Sequence, residues 1–168
     1  MKMIDIVLDS DHLVEFFIQY FDPVIANHGR GKFQPSRVFS RELAHRLNDI
    51  VAADREGICK FVIASTFAVV EIARNWDTIV GSRFSVQQLH AFVLQHPEWF
   101  DLAPVDEDLM PFFVDVPPLV LVGSKPVPIE WTDAIHLATM ISRGVEATLA
   151  TSDTRAIKVL ERDGRVLV

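Results

Sequence analysis

A chain of 168 residues that is 49% apolar and 23% charged has ordinary globular proportions, and its length suits one compact domain. Such a chain buries roughly 70% of its unfolded surface, enough to support a core unaided. The formal net charge of −7 argues against a protein that coats nucleic acid with a basic surface, but leaves room for an enzyme that reaches phosphates through bound cations.

Residues 3–8 (Met-Ile-Asp-Ile-Val-Leu) form a short apolar run that reads as a buried strand. It ends at Asp9-Ser10-Asp11, short polar side chains suited to a helix N-cap. A helix follows to about Phe21, where Asp22-Pro23 stops it. Residues 27–36 read as a loop around His28-Gly29-Arg30-Gly31-Lys32. Leu43, Leu47, Ile50 and Val51 mark one face of an amphipathic helix over 41–54. Cys59 is the single cysteine, which excludes an internal disulfide and fits a reducing cytoplasm.

Residues 61–64 read as a second buried strand, after which Ser65 or Thr66 caps a helix to about Trp76. Ser85-Val-Gln-Gln88 matches a capping box, and Pro97 ends the helix it opens. A weaker strand at 101–105, a helical stretch from 106 to about 114 and a proline-rich connection over 117–128 come next. Thr132 is expected to cap a helix to Arg143, with Gly144 as its stop. Residues 147–152 read as a fourth strand, 154–162 as a helix and 165–168 as a final strand. No apolar run approaches spanning length, and Asp5, Asp9 and Asp11 break the stretch a signal peptide needs, so a soluble cytoplasmic protein is expected.

Alternating strands and helices predict an α/β, Rossmann-like domain: a central parallel sheet of about five strands with helices on both faces. In open sheets of this kind the site lies beyond the carboxyl ends of the strands. Asp9 directly follows the first strand and Asp153 the fourth. Glu71 falls in the second turn of the helix after the second strand, and Asp133 opens the helix leading to the fourth. All four can face one edge. Two unit charges about 5 Å apart repel by ~3 kcal/mol at an effective dielectric of about 20, so such a cluster calls for protons or cations. Magnesium and manganese prefer oxygen ligands, and a site of this kind suits in-line hydrolysis of a phosphodiester.

The segments Ile4-Asp-Ile-Val-Leu-Asp9-Ser10, Ile63-Ala-Ser-Thr-Phe-Ala-Val-Val-Glu71, Trp131-Thr-Asp133-Ala-Ile-His-Leu-Ala138 and Leu149-Ala-Thr151-Ser-Asp153 resemble, in order and over nearly the whole chain, those of a PIN domain. More narrowly, the chain looks like the VapC-like toxins of bacterial toxin–antitoxin pairs. The resemblance implies metal-binding roles for Asp9, Glu71, Asp133 and Asp153, with Thr151 helping to hold the site. It also implies Mg²⁺- or Mn²⁺-dependent endoribonuclease activity, a homodimer, and inhibition by a cognate antitoxin. The chain departs from a minimal VapC-like toxin in extra length between the first two strands and around 117–128, and in Asp11, where Asn or Ser is frequent.

Other readings compete. Asp9-Ser-Asp11 after a strand also resembles haloacid-dehalogenase-like phosphatases, although Asp153 lacks the second acid that family needs nearby. A catalytically inactive PIN-like binding module is the non-enzymatic alternative. Taken singly, Asp9 and Asp133 read equally well as helix-start residues. His136, three residues after Asp133, is spaced so that both could touch one ion, but reads first as a helix-face histidine without a ligand role. Arg155 is a candidate for touching substrate phosphate. The basic stretch Arg30, Lys32, Arg37 and Arg41, interleaved with Phe33 and Phe39, reads as a solvated loop or an RNA contact. Phe16, Phe17, Phe21, Leu43 and Leu47 on the first two helices are either core or a surface for an antitoxin segment.

Overall fold

Ile6, Val7 and Leu8 are all fully buried, as are Val62, Ile63 and Ala64, because they belong to parallel strands covered on both faces. The computed structural model describes residues 4–22, 32–54 and 60–165. In chain order they form β1 (Asp5–Leu8), α1 (Ser10–Phe21), α2 (Arg41–Asp54), β2 (Val62–Ser65), α3 (Thr66–Arg74), α4 (Trp76–Val80) and α5 (Val86–Leu94). There follow β3 (Phe100–Ala103), a 3₁₀ turn (Met110–Asp115), β4 (Leu119–Val122), β5 (Lys125–Pro128), α6 (Trp131–Ser142), β6 (Ala147–Ala150) and α7 (Thr154–Arg162). Among the described residues no helix is long and apolar enough to cross a membrane.

The central sheet is parallel, in the order β3-β2-β1-β6. The chain steps outward from β1 to β2 and β3, then returns to add β6 on the other side of β1. That reversal opens a crevice between the carboxyl ends of β1 and β6, where α/β sheets bind their ligands.

Alternation along each strand divides the core. Ile6, Leu8, Val62, Ala64 and Phe100 join one cluster with α1, α2, α3 and α5. Val7, Ile63 and Leu149 join the other, with α6 and α7. The first cluster is strongly aromatic: Phe16 and Phe17 on α1 pack against Phe92 and Phe100, with Phe17 edge-on to the buried Trp76. Phe16, Phe17, Leu43 and Leu47 are fully buried, which settles them as core and withdraws them from any partner surface. Phe33 and Phe39 are 1% exposed and Lys32 lies over the Tyr20 ring, so these two phenyls do not serve as base-stacking platforms.

Several expectations need correcting. Among the described residues four strands form the parallel sheet, and residues 166–168 of the expected final strand lie outside the described residues. The helix expected over 106–114 is a bend followed by the 3₁₀ turn. Asp106 accepts from the Asp108 N–H and Pro111 lacks a donor, and both compete with α-helical bonding. The 117–128 connection contains an antiparallel hairpin, β4 with β5, turning at Gly123 with φ +63°. Helix α6 starts one residue before Thr132, with Glu130 at the N-cap, so Thr132 is not the cap. The helix expected to run from 66 to 76 breaks at Asn75 into α3 and α4. The capping box at Ser85 and Gln88 is present as read.

Candidate active site

Asp9, Glu71, Asp133 and Asp153 all line one open cavity of about 350 Å³, together with Ser10, Asp11, Thr132, His136 and Ser152. Each acid arrives from a different segment. Asp9 is the N-cap of α1, accepting from the His12 N–H at 2.9 Å, and its own N–H bonds Ala150 O at 3.2 Å across the β1–β6 crevice. Asp153 is the N-cap of α7, accepting from the Arg155 and Ala156 N–H groups at 2.8 and 3.1 Å. Asp133 is in the first turn of α6, and Glu71 comes from the second turn of α3. Capping and site-forming are therefore not rivals at Asp9 and Asp153: the cap geometry is what aims each carboxylate at the cavity.

Thr151 is not part of the cavity wall, and stands behind it. Its hydroxyl accepts from the Asp153 N–H at 3.0 Å, and it helps hold the Asp9 carboxyl below the usual range. Glu71 accepts a hydrogen bond from the Ser10 hydroxyl, joining α3 to the start of α1.

The acids are answered unequally. Burial pushes Asp9 up, but its contacts with His12 (Nδ1 2.8 Å from Oδ1) and Thr151 outweigh it and hold the carboxyl below the usual range. Burial likewise pushes Asp153 up, and hydrogen bonds from Arg155 and the Ala156 N–H bring it below that range. Asp133 goes the other way. Burial, then the charge of Asp153, with smaller additions from Glu130 and Asp9, raises it to about 6 against the pull of Arg155. Arg155 Nη2 is 3.0 Å from Asp133 Oδ2, close enough for ionic attraction, yet among the described residues that oxygen receives no hydrogen bond of acceptable geometry.

His136 is 3% exposed, lines the cavity, and its Nδ1 likewise has no hydrogen-bond partner among the described residues. Burial lowers its pKa, opposed by Asp9 and Glu71, so it tends toward the neutral, ligand-competent imidazole. Reading it as an uninvolved helix-face residue understated its position. His12, buried at 3% exposure and paired with Asp9, was missed altogether. Its signal was the Asp-x-x-His spacing across a helix start.

Oxygen donors from four segments, one neutral imidazole and an orphaned Asp133 oxygen fit a hard divalent cation in kind and in charge. Among the described residues no three His, Cys, Asp or Glu side chains already stand as a ready ligand set. The carboxylates are turned onto Arg155, His12 and Ser10 instead. A comparison with family models finds no match to this chain, and searches of curated proteins and of solved structures find no significant match either.

Proposed function

We propose that this chain is a divalent-cation-dependent endoribonuclease with a PIN-like architecture, acting as the toxin of a VapBC-like pair. The observation carrying this reading is the convergence of Asp9, Glu71, Asp133 and Asp153 on one open cavity at the sheet's carboxyl edge. These four, with His136 beside them, would hold Mg²⁺ or Mn²⁺. When bound, the ion supplies charge neutralisation and Lewis-acid polarisation of the phosphate.

The protein's own groups do the rest. Thr151 holds the Asp153 backbone N–H, fixing the start of α7 where that carboxylate is presented. Ser10 orients Glu71. Asp133, raised to about 6, is the acid best able to exchange a proton near neutral pH before a cation claims it. The cavity is open, as an internal phosphodiester of a polymer requires, and a sheet-edge crevice admits chain on both sides. Leu119, Leu121 and Trp131, all more than half exposed, are apolar surface that an antitoxin or a second copy would cover.

The test is cleavage of end-labelled single-stranded RNA by the purified chain with Mg²⁺ or Mn²⁺. Asp9→Asn and Asp153→Asn are expected to lower the rate on the order of 100-fold or more. Folded wild-type protein that cleaves no RNA with either ion would sink this reading and favour a PIN-like binding module. One observation keeps the phosphatase alternative in view: Asp11 lines the same cavity as Asp9. Trapping of a phosphorylated Asp9 with a phosphomonoester substrate would establish it.

A further inference from the structure

Like charges gathered in one cavity must be answered from somewhere, and on the side of Asp133 and Asp153 the answer is Arg155. Its Nη2 stands 2.9 Å from Asp153 Oδ2 and 3.0 Å from Asp133 Oδ2. Its Nε donates to Asp153 Oδ1 at 3.2 Å, and its Nη1 reaches Glu130 Oε1 at 2.6 Å. One guanidinium therefore touches three carboxylates, with its side chain 19% exposed. Five donors fixed in a planar fork make this possible, whereas a lysine ammonium is a single point of charge. Both oxygens of Asp153 are occupied, and the inner oxygen of Asp133 is held by charge without a hydrogen bond.

We propose that Arg155 is a tethered cation resident in the acid cluster, keeping Asp133 and Asp153 together without metal, and that a divalent ion binds there by displacing it. The inference rests on reading the pocket as a divalent-cation site. The oxygens a hard cation needs are those Arg155 uses, and two positive centres cannot share them without strong mutual repulsion. Of the four acids, Asp133 and Asp153 are the two committed to the guanidinium. Once displaced, Arg155 remains in the first turn of α7, two residues from Asp153 at the cavity's edge. There its fork faces a phosphate bidentately. Arg155 is thus a positioning residue for the acids first and a phosphate contact second.

The test compares wild type, Arg155→Ala and Arg155→Lys as full chains. Thermal unfolding is measured in EDTA, and Mn²⁺ binding by electron paramagnetic resonance, which counts the free ion. Arg155→Ala is expected to melt lower without metal and yet bind Mn²⁺ about tenfold more tightly, the scale of one partly buried ion pair removed. Arg155→Lys is expected between the two. An arginine that merely supported the fold would lower stability and affinity together. In wild type, the Arg155 Nε–H nuclear resonance, protected in EDTA, is expected to lose that protection when Mg²⁺ is added, which decides the matter even if the alanine variant fails to fold. Affinity unchanged or weakened in the folded variants, or an Nε–H indifferent to Mg²⁺ that demonstrably binds, overturns the displacement and leaves the metal site standing. No Mn²⁺ bound by any folded protein overturns both.

Discussion

Asp133 is the residue on which charge is least well answered. Its pKa, raised to about 6 from an ordinary value of 3.8, means the fold prefers its protonated form. A carboxyl raised in this way adds stability below pH 4 and loses it as pH rises through 6. Asp9 and Asp153, held below the usual range, contribute in the opposite sense: their stabilisation is present above pH 4 and lost on acidification. The expected outcome is specific to one side chain. Asp133→Asn unfolds at a higher temperature than wild type in EDTA at pH 7.5, by on the order of 1 kcal/mol after allowance for solvent screening. The difference shrinks toward zero by pH 4, where wild-type Asp133 is largely neutral as well. Parallel melts at the two pH values check it. The same substitution is expected to weaken Mn²⁺ binding, so stability and site chemistry pull apart at this position.

At the scale of elements, the segment before α2 is held in place by two side-chain amides. Asn48 accepts from Phe33 N–H at 2.9 Å and donates to Phe33 O at 2.7 Å. Gln19, 3% exposed, does the same for Gln34, at 2.7 and 3.0 Å. Each amide imitates a strand partner, and together they seat Phe33 in the aromatic core against Phe16, 5.0 Å between ring centres. Asn48→Ala strips both groups of Phe33 of their bonds and is expected to cost about 2 kcal/mol, read from denaturant midpoints at unchanged slope. RNA cleavage per folded molecule is expected to be unaffected, because Asn48 does not line the cavity. The β4–β5 hairpin was legible in principle. Gly123-Ser124 is a two-residue turn signal, but four prolines in twelve residues outweighed it. Pro126 and Pro128 are tolerated because a two-stranded ribbon leaves outer donors unused.

For the molecule as a whole, a net charge of −7 and an acid-lined cavity make divalent ions the expected stabilisers. An ion present at about 100 times its dissociation constant adds ~2.7 kcal/mol, which for a chain of this size raises the melting temperature by roughly 5–10 °C. Mg²⁺ or Mn²⁺ is expected to do this where NaCl of equal ionic strength does not, since general screening does not distinguish them. EDTA is expected to reverse it. A shift of the same size with NaCl would trace the effect to net charge and not to the pocket.

Local sequence determined the four strands of the parallel sheet and several helix ends, because apolar runs, caps and proline stops act over a few residues. It thereby determined that Asp9 directly follows β1 and that Asp153 lies three residues beyond the end of β6, with the outcome that both cap a helix at the sheet's carboxyl edge. Periodicity alone could not tell Phe33 in the core from Phe33 on a basic loop, nor Phe16 in the core from Phe16 on a binding face, since an apolar side chain has the same pattern either way. What only the tertiary structure decided is the order of strands, with β6 beside β1, and the contacts between distant segments: Ser10 with Glu71, and Arg155 with Asp133 and Glu130. Electrostatic energies depend on separation in space and on burial, and neither quantity exists until distant segments have packed.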